Sequence, residues 1–162
     1  MAPQAVGELK ADLRLILLVE DDADDVMLIK SAFQKAGISN PLQVAHDGEE
    51  AIAYLSGEGA FADWQKHPLP SLVLLDLRMP RRDGFDVLKW IKTVPELRSV
   101  VVIVLSATDN ARHVDDAYRL GANSVLEKPF GFDNTMGLAR MIKDYWLNNP
   151  VVRLMGLQRE AA

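Results

Sequence analysis

The feature that most constrains the fold of this chain is the repeated alternation of apolar runs with segments of helical period. Each of five apolar runs is followed by a more polar segment with apolar residues at helical spacing. The five runs are LRLILLVE (13–20), PLQVAHD (41–47), LVLLD (72–76), VVVIVLSA (100–107) and NSVLEKP (123–129). Strands that alternate with helices predict a parallel sheet covered on both faces, and right-handed crossovers favour a doubly wound arrangement. We therefore predict an α/β fold with a doubly wound five-stranded parallel sheet.

Four helical segments follow strands of the predicted sheet with clear limits, and in three of them the residues expected to face the sheet can be named. The first helix ends at Gly37, the third spans about 85–93, the fourth about 109–120, and the last 133–147. Residues three or four positions apart lie on one side of a helix. The predicted inward residues are Val26, Ile29, Phe33 and Ala36 in the first helix, Ala111, Val114 and Tyr118 in the fourth, and Leu138, Ile142 and Tyr145 in the last.

Acidic residues and a glycine mark the starts of two helices. Asp22, Asp24 and Asp25 are predicted to cap the first helix or to interact favourably with the positive end of its dipole. Gly84 is predicted to close the turn after Pro80 and Asp83. These residues are interpreted as structural.

Length and composition limit the kind of protein. With 162 residues, of which 49% are hydrophobic, the chain is predicted to form one domain, at 13–147. A flexible N-terminal segment (1–12) and a C-terminal tail (148–162) would flank it. The net charge of −5 argues against binding to nucleic acid or anionic membranes, and the lack of cysteine excludes a disulfide framework. Because neither a signal peptide nor a membrane-spanning stretch is evident, we expect a cytoplasmic protein.

Polar residues stand where the predicted strands end. Glu20 and Asp21 follow the first strand, Asp76 ends the third, Ser106 ends the fourth, and Lys128 ends the fifth. In doubly wound sheets the carboxyl ends of the strands form the ligand site. Carboxylates that converge there cannot all stay ionised without a compensating cation. Mg²⁺, which binds a few carboxylates and several waters, is the cation we predict.

The same residues predict chemistry on a phosphoryl group. Lys128 supplies a positive charge and Ser106 a hydroxyl donor beside Asp76, as a site for an incoming phosphoryl group requires. Asp76 would be the nucleophile and would form an aspartyl phosphate. Taken alone, an acid after an apolar strand is more often a solvated loop residue or a helix cap.

Four short motifs then resemble one protein family. LLVEDD (17–22), LLDLRMPRRDG (74–84), VLSA (104–107) and EKPF (127–130) each stand at the end of a predicted strand. Together they resemble the receiver domain of the response-regulator family of two-component signalling. The resemblance implies the flavodoxin-like, CheY-like strand order 2-1-3-4-5, and a sensor histidine kinase as partner.

A narrower resemblance concerns the segment DGEEAIAYL (47–55) and the long loop EGAFADWQKHPLP (58–70). Both look like the single-domain regulators that pair with phytochrome histidine kinases. Nothing that resembles an output domain follows Lys128, so we expect a regulator that signals by changed protein–protein interaction or by phosphorelay.

The resemblance also implies roles for individual residues at the metal site. Asp76 resembles the phosphoacceptor and Asp21 the acid that binds the metal directly. Glu20 would reach the ion directly or through water. The backbone carbonyl of Arg78 would be a further ligand.

Around the phosphoryl group, the resemblance implies that the Ser106 hydroxyl turns inward and that Lys128 pairs with the same group. The bond before Pro129 is usually cis in the family. Val125 occupies the position where many relatives have a switching Tyr or Phe, so we expect a smaller rearrangement than in those relatives.

Two other function classes stay open. A degenerate receiver would act only as a binding scaffold, but Asp21, Asp76, Ser106 and Lys128 are all present. A magnesium-dependent phosphohydrolase of the haloacid dehalogenase kind also uses a strand-end Asp, but its D-x-D motif would need an acid at Arg78. We therefore expect a phosphoacceptor signalling protein and not an enzyme in the usual sense.

The tail suggests an assembly. Apolar residues are clustered after Pro150, in VVRLMGL (151–157). A solvated disordered tail would not be expected to carry such a cluster. We predict either a tail that folds back on its own domain or an arm that packs on a second copy to give a homodimer with self-complementary contacts.

Overall fold

The structure is a computed structural model that describes residues 14–79, 83–107 and 111–148. The predicted N-terminal segment (1–12) and the apolar cluster of the tail lie outside these residues. The predicted domain limits and the dimer arm therefore stay predictions. Among the described helices, none has the length and apolar character needed to cross a membrane.

One parallel sheet organises the described chain. Its strands are β1 (Ile16–Val19), β2 (Leu42–Ala45), β3 (Leu72–Asp76), β4 (Val101–Ser106) and β5 (Ser124–Glu127). The helices are α1 (Ala23–Lys35), α2 (Gly48–Ser56), α3 (Gly84–Thr93), α4 (Ala111–Arg119) and α5 (Phe132–Met141), and a π-helical turn, Ile142–Leu147, follows α5. The strand order is β2-β1-β3-β4-β5 with all neighbours parallel, so the predicted fold and order are confirmed.

The three central strands, β1, β3 and β4, are buried along their whole length, as their uninterrupted apolar sequences predict. Alternate residues point to opposite faces of the sheet and enter two separate cores. One core contains Leu17 and Leu75 and packs under α2, α3 and α4. The other contains Leu18 and Leu74 and packs under α1 and α5. Helices on both faces make the sheet doubly wound.

The strand register places the functional residues at one edge. Val19 pairs with Leu75, so Glu20 and Asp76 follow the pair on adjacent strands. Asp76 in turn pairs with Leu105, which precedes Ser106. The carboxyl ends of β1, β3 and β4 therefore converge, as the doubly wound topology requires.

The predicted inward face of α4 is wrong at Ala111 and Tyr118, whereas the third predicted residue, Val114, is half-buried. Ala117 is the buried residue of this helix, whereas Ala111 is exposed and Tyr118 is 48% exposed. The helix approaches the sheet through the small Ala117 side chain. Tyr118 lies beside the last strand, where its hydroxyl accepts a hydrogen bond from the Val125 backbone at 3.1 Å.

The predicted inward face of the last helix is partly wrong. Leu138 and Ile142 are buried as expected, but Tyr145 is 57% exposed. The helix widens into the π-helical turn, in which Asn148 N–H donates to the Lys143 carbonyl, five residues earlier. That widening ends the spacing of three or four residues on which the prediction rests. Trp146 packs against the core in place of Tyr145.

The peptide bond before Pro129 also differs from what the resemblance implies. The described residues contain no cis peptide bond, so this bond is trans. The expectation of a cis bond is wrong here, and the trans form is the ordinary preference of an X–Pro bond.

Candidate functional site

Asp76 lies at the end of β3 with 3% of its surface exposed. Its Oδ1 accepts a hydrogen bond from the Arg78 backbone N–H at 3.1 Å, and its Oδ2 lies 3.1 Å from Nζ of Lys128. Both carboxylate oxygens therefore have a donor, which fixes the orientation of a buried charge that would otherwise be costly.

Glu20 is completely buried beside Asp76. Its Oε1 accepts a hydrogen bond from the Asp22 backbone N–H at 3.1 Å, and its Oε2 lies 2.9 Å from Nζ of Lys128. Burial, together with the negative charge of Asp76, raises the pKa of Glu20 to about 7, although the contact with Lys128 acts in the opposite direction. A further positive charge at this point would favour the ionised carboxylate.

Lys128 brings its ammonium group into the middle of the acids. Nζ lies 2.9 Å from Glu20, 3.0 Å from Asp25 and 3.1 Å from Asp76. Burial alone would lower the pKa of Lys128, but the hydrogen bonds to Glu20 and Asp25 and the charge of Asp76 outweigh it and raise that pKa. The lysine is therefore firmly charged.

Three of the acids could hold a metal ion. Glu20, Asp21 and Asp76 each offer a carboxylate oxygen, and these oxygens lie within 4.8 Å of one another. Asp21 is exposed, whereas the other two are buried, so an ion could enter from the solvent side. Three hard oxygen donors at one place suit Mg²⁺, which would keep waters in its remaining positions. The residues present therefore fit the predicted cation.

Ser106 ends β4 and is 2% exposed. It lines a cleft of about 560 Å³ together with Asp21 and Arg78. The cleft is wide enough for a phosphoryl group and solvent. The structure thus brings together all the residues that the sequence analysis assigned to the site: Glu20, Asp21, Asp76, Arg78, Ser106 and Lys128.

Gly84 holds the backbone after β3 close to the site. Its N–H donates to the Leu77 carbonyl at 3.0 Å. A Cβ at this position would clash with the carbonyl oxygen of Asp76 and would lie 2.6 Å from the Leu77 Cα. Both contacts are with backbone, which cannot easily yield. The structural role predicted for Gly84 is explained by this close approach. Residues 80–82 lie outside the described residues, so the predicted turn stays a prediction.

One charged residue of the site, Asp25, is not predicted from the sequence. Asp25 was assigned to the helix start, yet its side chain reaches Lys128. Asp22 does act as the predicted cap, since its Oδ1 accepts from the N–H groups of Asp24 at 2.8 Å and Asp25 at 3.2 Å. Asp21 precedes the helix, so helical spacing does not relate it to Asp25, and no local charge pattern places Asp25 beside Lys128.

Two aromatic residues of the cleft were also missed. Phe85 and His113 line it, from the first turns of α3 and α4. Their ring centroids are 5.8 Å apart at an interplanar angle of 68°, an edge-to-face arrangement. No local pattern in the sequence indicates that these two helices begin at the same cleft.

A family model described as "Response regulator receiver domain" matches residues 16–140. The chain belongs to the response-regulator receiver family. The match covers the five strands and nearly all of α5. It confirms the family that the four strand-end motifs predict, and it places the chain among two-component signalling proteins.

Two individual members of the family are similar to this chain over most of their length. The chain is 38% identical over 136 residues to "Probable methanogenesis regulatory protein FilR2" of Methanothrix harundinacea (strain 6Ac), covering 82% of this chain and 83% of that protein. It is 34% identical to "Response regulator Rcp1" of Synechocystis sp. (strain ATCC 27184 / PCC 6803 / Kazusa), covering 83% of this chain and 89% of Rcp1.

Two solved structures of response regulators also superpose on most of this chain. The Mn²⁺-bound form of Rcp1 superposes with a TM-score of 0.76 at 33% identity, over 84% of this chain and 96% of that one. The phosphorylated cyanobacterial phytochrome response regulator RcpA superposes with a TM-score of 0.77 at 34% identity, over 83% of this chain and 94% of that one. The predicted resemblance to phytochrome-associated regulators is thereby confirmed.

Proposed function

We propose that this receiver accepts a phosphoryl group on Asp76 from a sensor histidine kinase in a Mg²⁺-dependent reaction. The observation that carries the proposal is the position of the Asp76 carboxylate, buried at a strand end between the Lys128 ammonium and two further acids. Buried acids are costly unless cations compensate them, and a carboxylate held beside a lysine and a bound cation is placed to accept a phosphoryl group.

In the proposed reaction, one carboxylate oxygen of Asp76 forms a bond to the phosphorus as the bond between phosphorus and the donor histidine nitrogen breaks. The imidazole leaves with the electron pair of that bond. Lys128 lies where its N–H groups can donate to a phosphoryl oxygen, and the Ser106 hydroxyl borders the same cleft. These donors would stabilise the charge on the transferred group.

The metal requirement follows from the acids. Glu20, Asp21 and Asp76, with the backbone carbonyl of Arg78, would hold Mg²⁺, which supplies positive charge to the phosphoryl oxygens when bound. The related Rcp1 has been solved with Mn²⁺, an ion with similar preference for oxygen ligands. This similarity supports a divalent cation at the same acids.

We infer that the kinase is of the phytochrome type, because a phytochrome response regulator, RcpA, is among the most similar structures. The proposed setting is the cytoplasm, where a sensor kinase domain would reach this protein. Phosphorylated and unphosphorylated forms would differ in protein–protein contacts or in onward phosphorelay. The proposed receiver spans 13–147, and the tail is the proposed arm of a homodimer.

The chemistry can be tested with a small phosphodonor. Incubation with Mg²⁺ and acetyl phosphate should add one phosphoryl group, detected by intact mass and lost on treatment with base. Asp76→Asn should abolish the label, whereas the exposed helix acid variant Asp86→Asn should be labelled like the unaltered protein. Equal labelling of Asp76→Asn would reject Asp76 as the acceptor, and an absence of labelling in every form would favour the degenerate receiver.

The partner can be tested separately. Purified phytochrome-type and unrelated histidine kinases, autophosphorylated beforehand, should transfer label to this protein at different rates. We expect the phytochrome-type kinases to be fastest at equal concentration. Equal rates across the panel would argue against the assignment of the kinase but would leave the acceptor chemistry standing.

A further inference from the structure

The ammonium group of Lys128 has three N–H donors, and the described structure gives it three carboxylate partners. These are Glu20 at 2.9 Å, Asp25 at 3.0 Å and Asp76 at 3.1 Å. Asp76 accepts a hydrogen bond from the ammonium group, and Glu20 and Asp25 lie at ion-pair distance from it. A phosphoryl oxygen that pairs with Lys128 therefore competes with carboxylates that already surround it.

The three partners are not equivalent. Glu20 and Asp76 belong to the group of acids whose oxygens converge on one point, together with Asp21. Asp25 is outside that group and comes from the first turn of α1. Its side chain is 32% exposed, whereas those of Glu20 and Asp76 are 0% and 4% exposed. Asp25 is therefore the partner that water can solvate most easily after release.

We propose that Asp25 is a positioning residue that competes with the phosphoryl group for Lys128 and so limits how tightly the phosphorylated state is held. The inference rests on the proposed function. Asp25 holds one donor of Lys128 on the α1 side of the site, and this donor becomes available to a phosphoryl oxygen only when the Asp25 contact breaks. Its negative charge also opposes the arrival of a dianionic group.

A purely structural role for Asp25 gives a different expectation. An acid in the first turn of a helix stabilises the helix through the dipole, and this effect concerns folding and not phosphoryl binding. Asp24 is the matched control, because it carries the same charge in the same helical turn and is exposed. Both residues donate their backbone N–H to Asp22, and neither side-chain change removes these cap hydrogen bonds.

The test is the affinity for beryllofluoride, a mimic of the phosphoryl group, measured by titration at fixed Mg²⁺. Asp25→Asn should bind the mimic about threefold or more tightly than the unaltered protein, and its acetyl-phosphate label should decay more slowly by a similar factor. Asp24→Asn should stay within about 1.5-fold of the unaltered protein, since at a solvated position the charge is screened. Asp25→Glu, which keeps a carboxylate acceptor, should return the affinity toward that of the unaltered protein.

The inference would be overturned if Asp25→Asn and Asp24→Asn bound beryllofluoride with equal affinity. It would also be overturned if Asp25→Glu increased that affinity as much as Asp25→Asn does. Thermal unfolding of all variants checks that the fold is intact. A failure of the proposed function can be told apart from a failure of this inference, because the unaltered protein would then not be labelled at Asp76. If it is labelled and the Asp25 variants behave like the control, only the role of Asp25 is lost.

Discussion

The hydroxyl of Tyr118 accepts a hydrogen bond from the backbone N–H of Val125, and the two atoms are 3.1 Å apart. Tyr118 belongs to α4 and Val125 to β5, the strand at the edge of the sheet. An edge strand leaves a row of backbone groups without a neighbouring strand. The hydroxyl of an aromatic side chain from the adjacent helix thus accepts a hydrogen bond from the edge strand at Val125.

The first prediction concerns this contact. Tyr118→Phe removes the acceptor and keeps the ring, so the Val125 amide should exchange with solvent faster. The free energy of unfolding should fall by about 0.5–1.5 kcal/mol, the usual net worth of one hydrogen bond. Hydrogen exchange read residue by residue is the measurement. Tyr145→Phe, at an exposed ring of the π-helical turn, is the control and should leave Val125 unchanged; unchanged exchange in Tyr118→Phe would contradict the prediction.

The second prediction concerns Gly84. Gly84→Ala places a methyl group against the backbone of Asp76 and Leu77, so the loop must shift, at a cost of about 1–3 kcal/mol. Labelling of Asp76 by acetyl phosphate should slow as well, because the carboxylate moves with its backbone. Gly137→Ala is the matched control. Its added methyl group meets nothing within 4 Å on the exposed side of α5, and it should stabilise the helix by about 0.5–1 kcal/mol. The free energies of unfolding of both variants, measured by chemical denaturation, test this explanation. Equal changes in Gly84→Ala and Gly137→Ala would refute the steric explanation.

The third prediction concerns pH and Tyr54. This side chain is 2% exposed and its hydroxyl donates to the Pro68 carbonyl at 2.8 Å. Burial raises the pKa of Tyr54 to about 12. Because the folded pKa lies above the unfolded value of about 10, the neutral tyrosine contributes stability below about pH 10 that is lost as the pH rises toward 12.

Denaturation at several pH values tests this. The free energy of unfolding should fall between about pH 10 and 12 in the unaltered protein. It should fall less steeply in Tyr54→Phe, which cannot ionise. Identical slopes for the two proteins would show that Tyr54 is not responsible.

The fourth prediction concerns the metal. A ligand that binds only the folded state raises the apparent stability, so Mg²⁺ should raise the melting temperature with a dependence on its concentration. Asp21→Asn removes one of the three clustered carboxylates and should abolish most of that increase. Asp24→Asn removes an equal charge from the first turn of α1 and should retain it. Differential scanning fluorimetry with and without Mg²⁺ is sufficient, and a full Mg²⁺ response in Asp21→Asn would argue against the metal site.

The sequence predicts the sheet and its functional edge well, for a physical reason. A strand buried on both faces has an uninterrupted apolar sequence, so β3 and β4 are visible without structural information. A charged residue directly after such a strand must lie at its end. Asp76 and Lys128 are therefore assigned to the same edge by topology alone, although 52 positions separate them.

Apart from the peptide bond before Pro129, the errors and omissions concern helices. Spacing gives the direction of a side chain only if the helix is regular and its whole apolar face meets the sheet. Tyr118 is exposed because α4 meets the sheet only through Ala117 and not through its whole apolar face. Tyr145 is exposed because the helix is no longer regular at the π-helical turn. Asp25 was missed because its partner, Lys128, comes from a distant strand, and local charge patterns contain no information on such a contact.

The π-helical turn has a consequence for comparing this chain with its relatives. A turn closed by a bond from Asn148 N–H to the Lys143 carbonyl holds one residue more than an α-helical turn would. The turn is equivalent to an insertion of one residue that does not interrupt the helix. An alignment that assumes an unbroken helix would therefore match Tyr145 with the partly buried position that Trp146 occupies. Deleting one residue within 142–147 should convert the turn to regular helix and exchange the surroundings of the two rings.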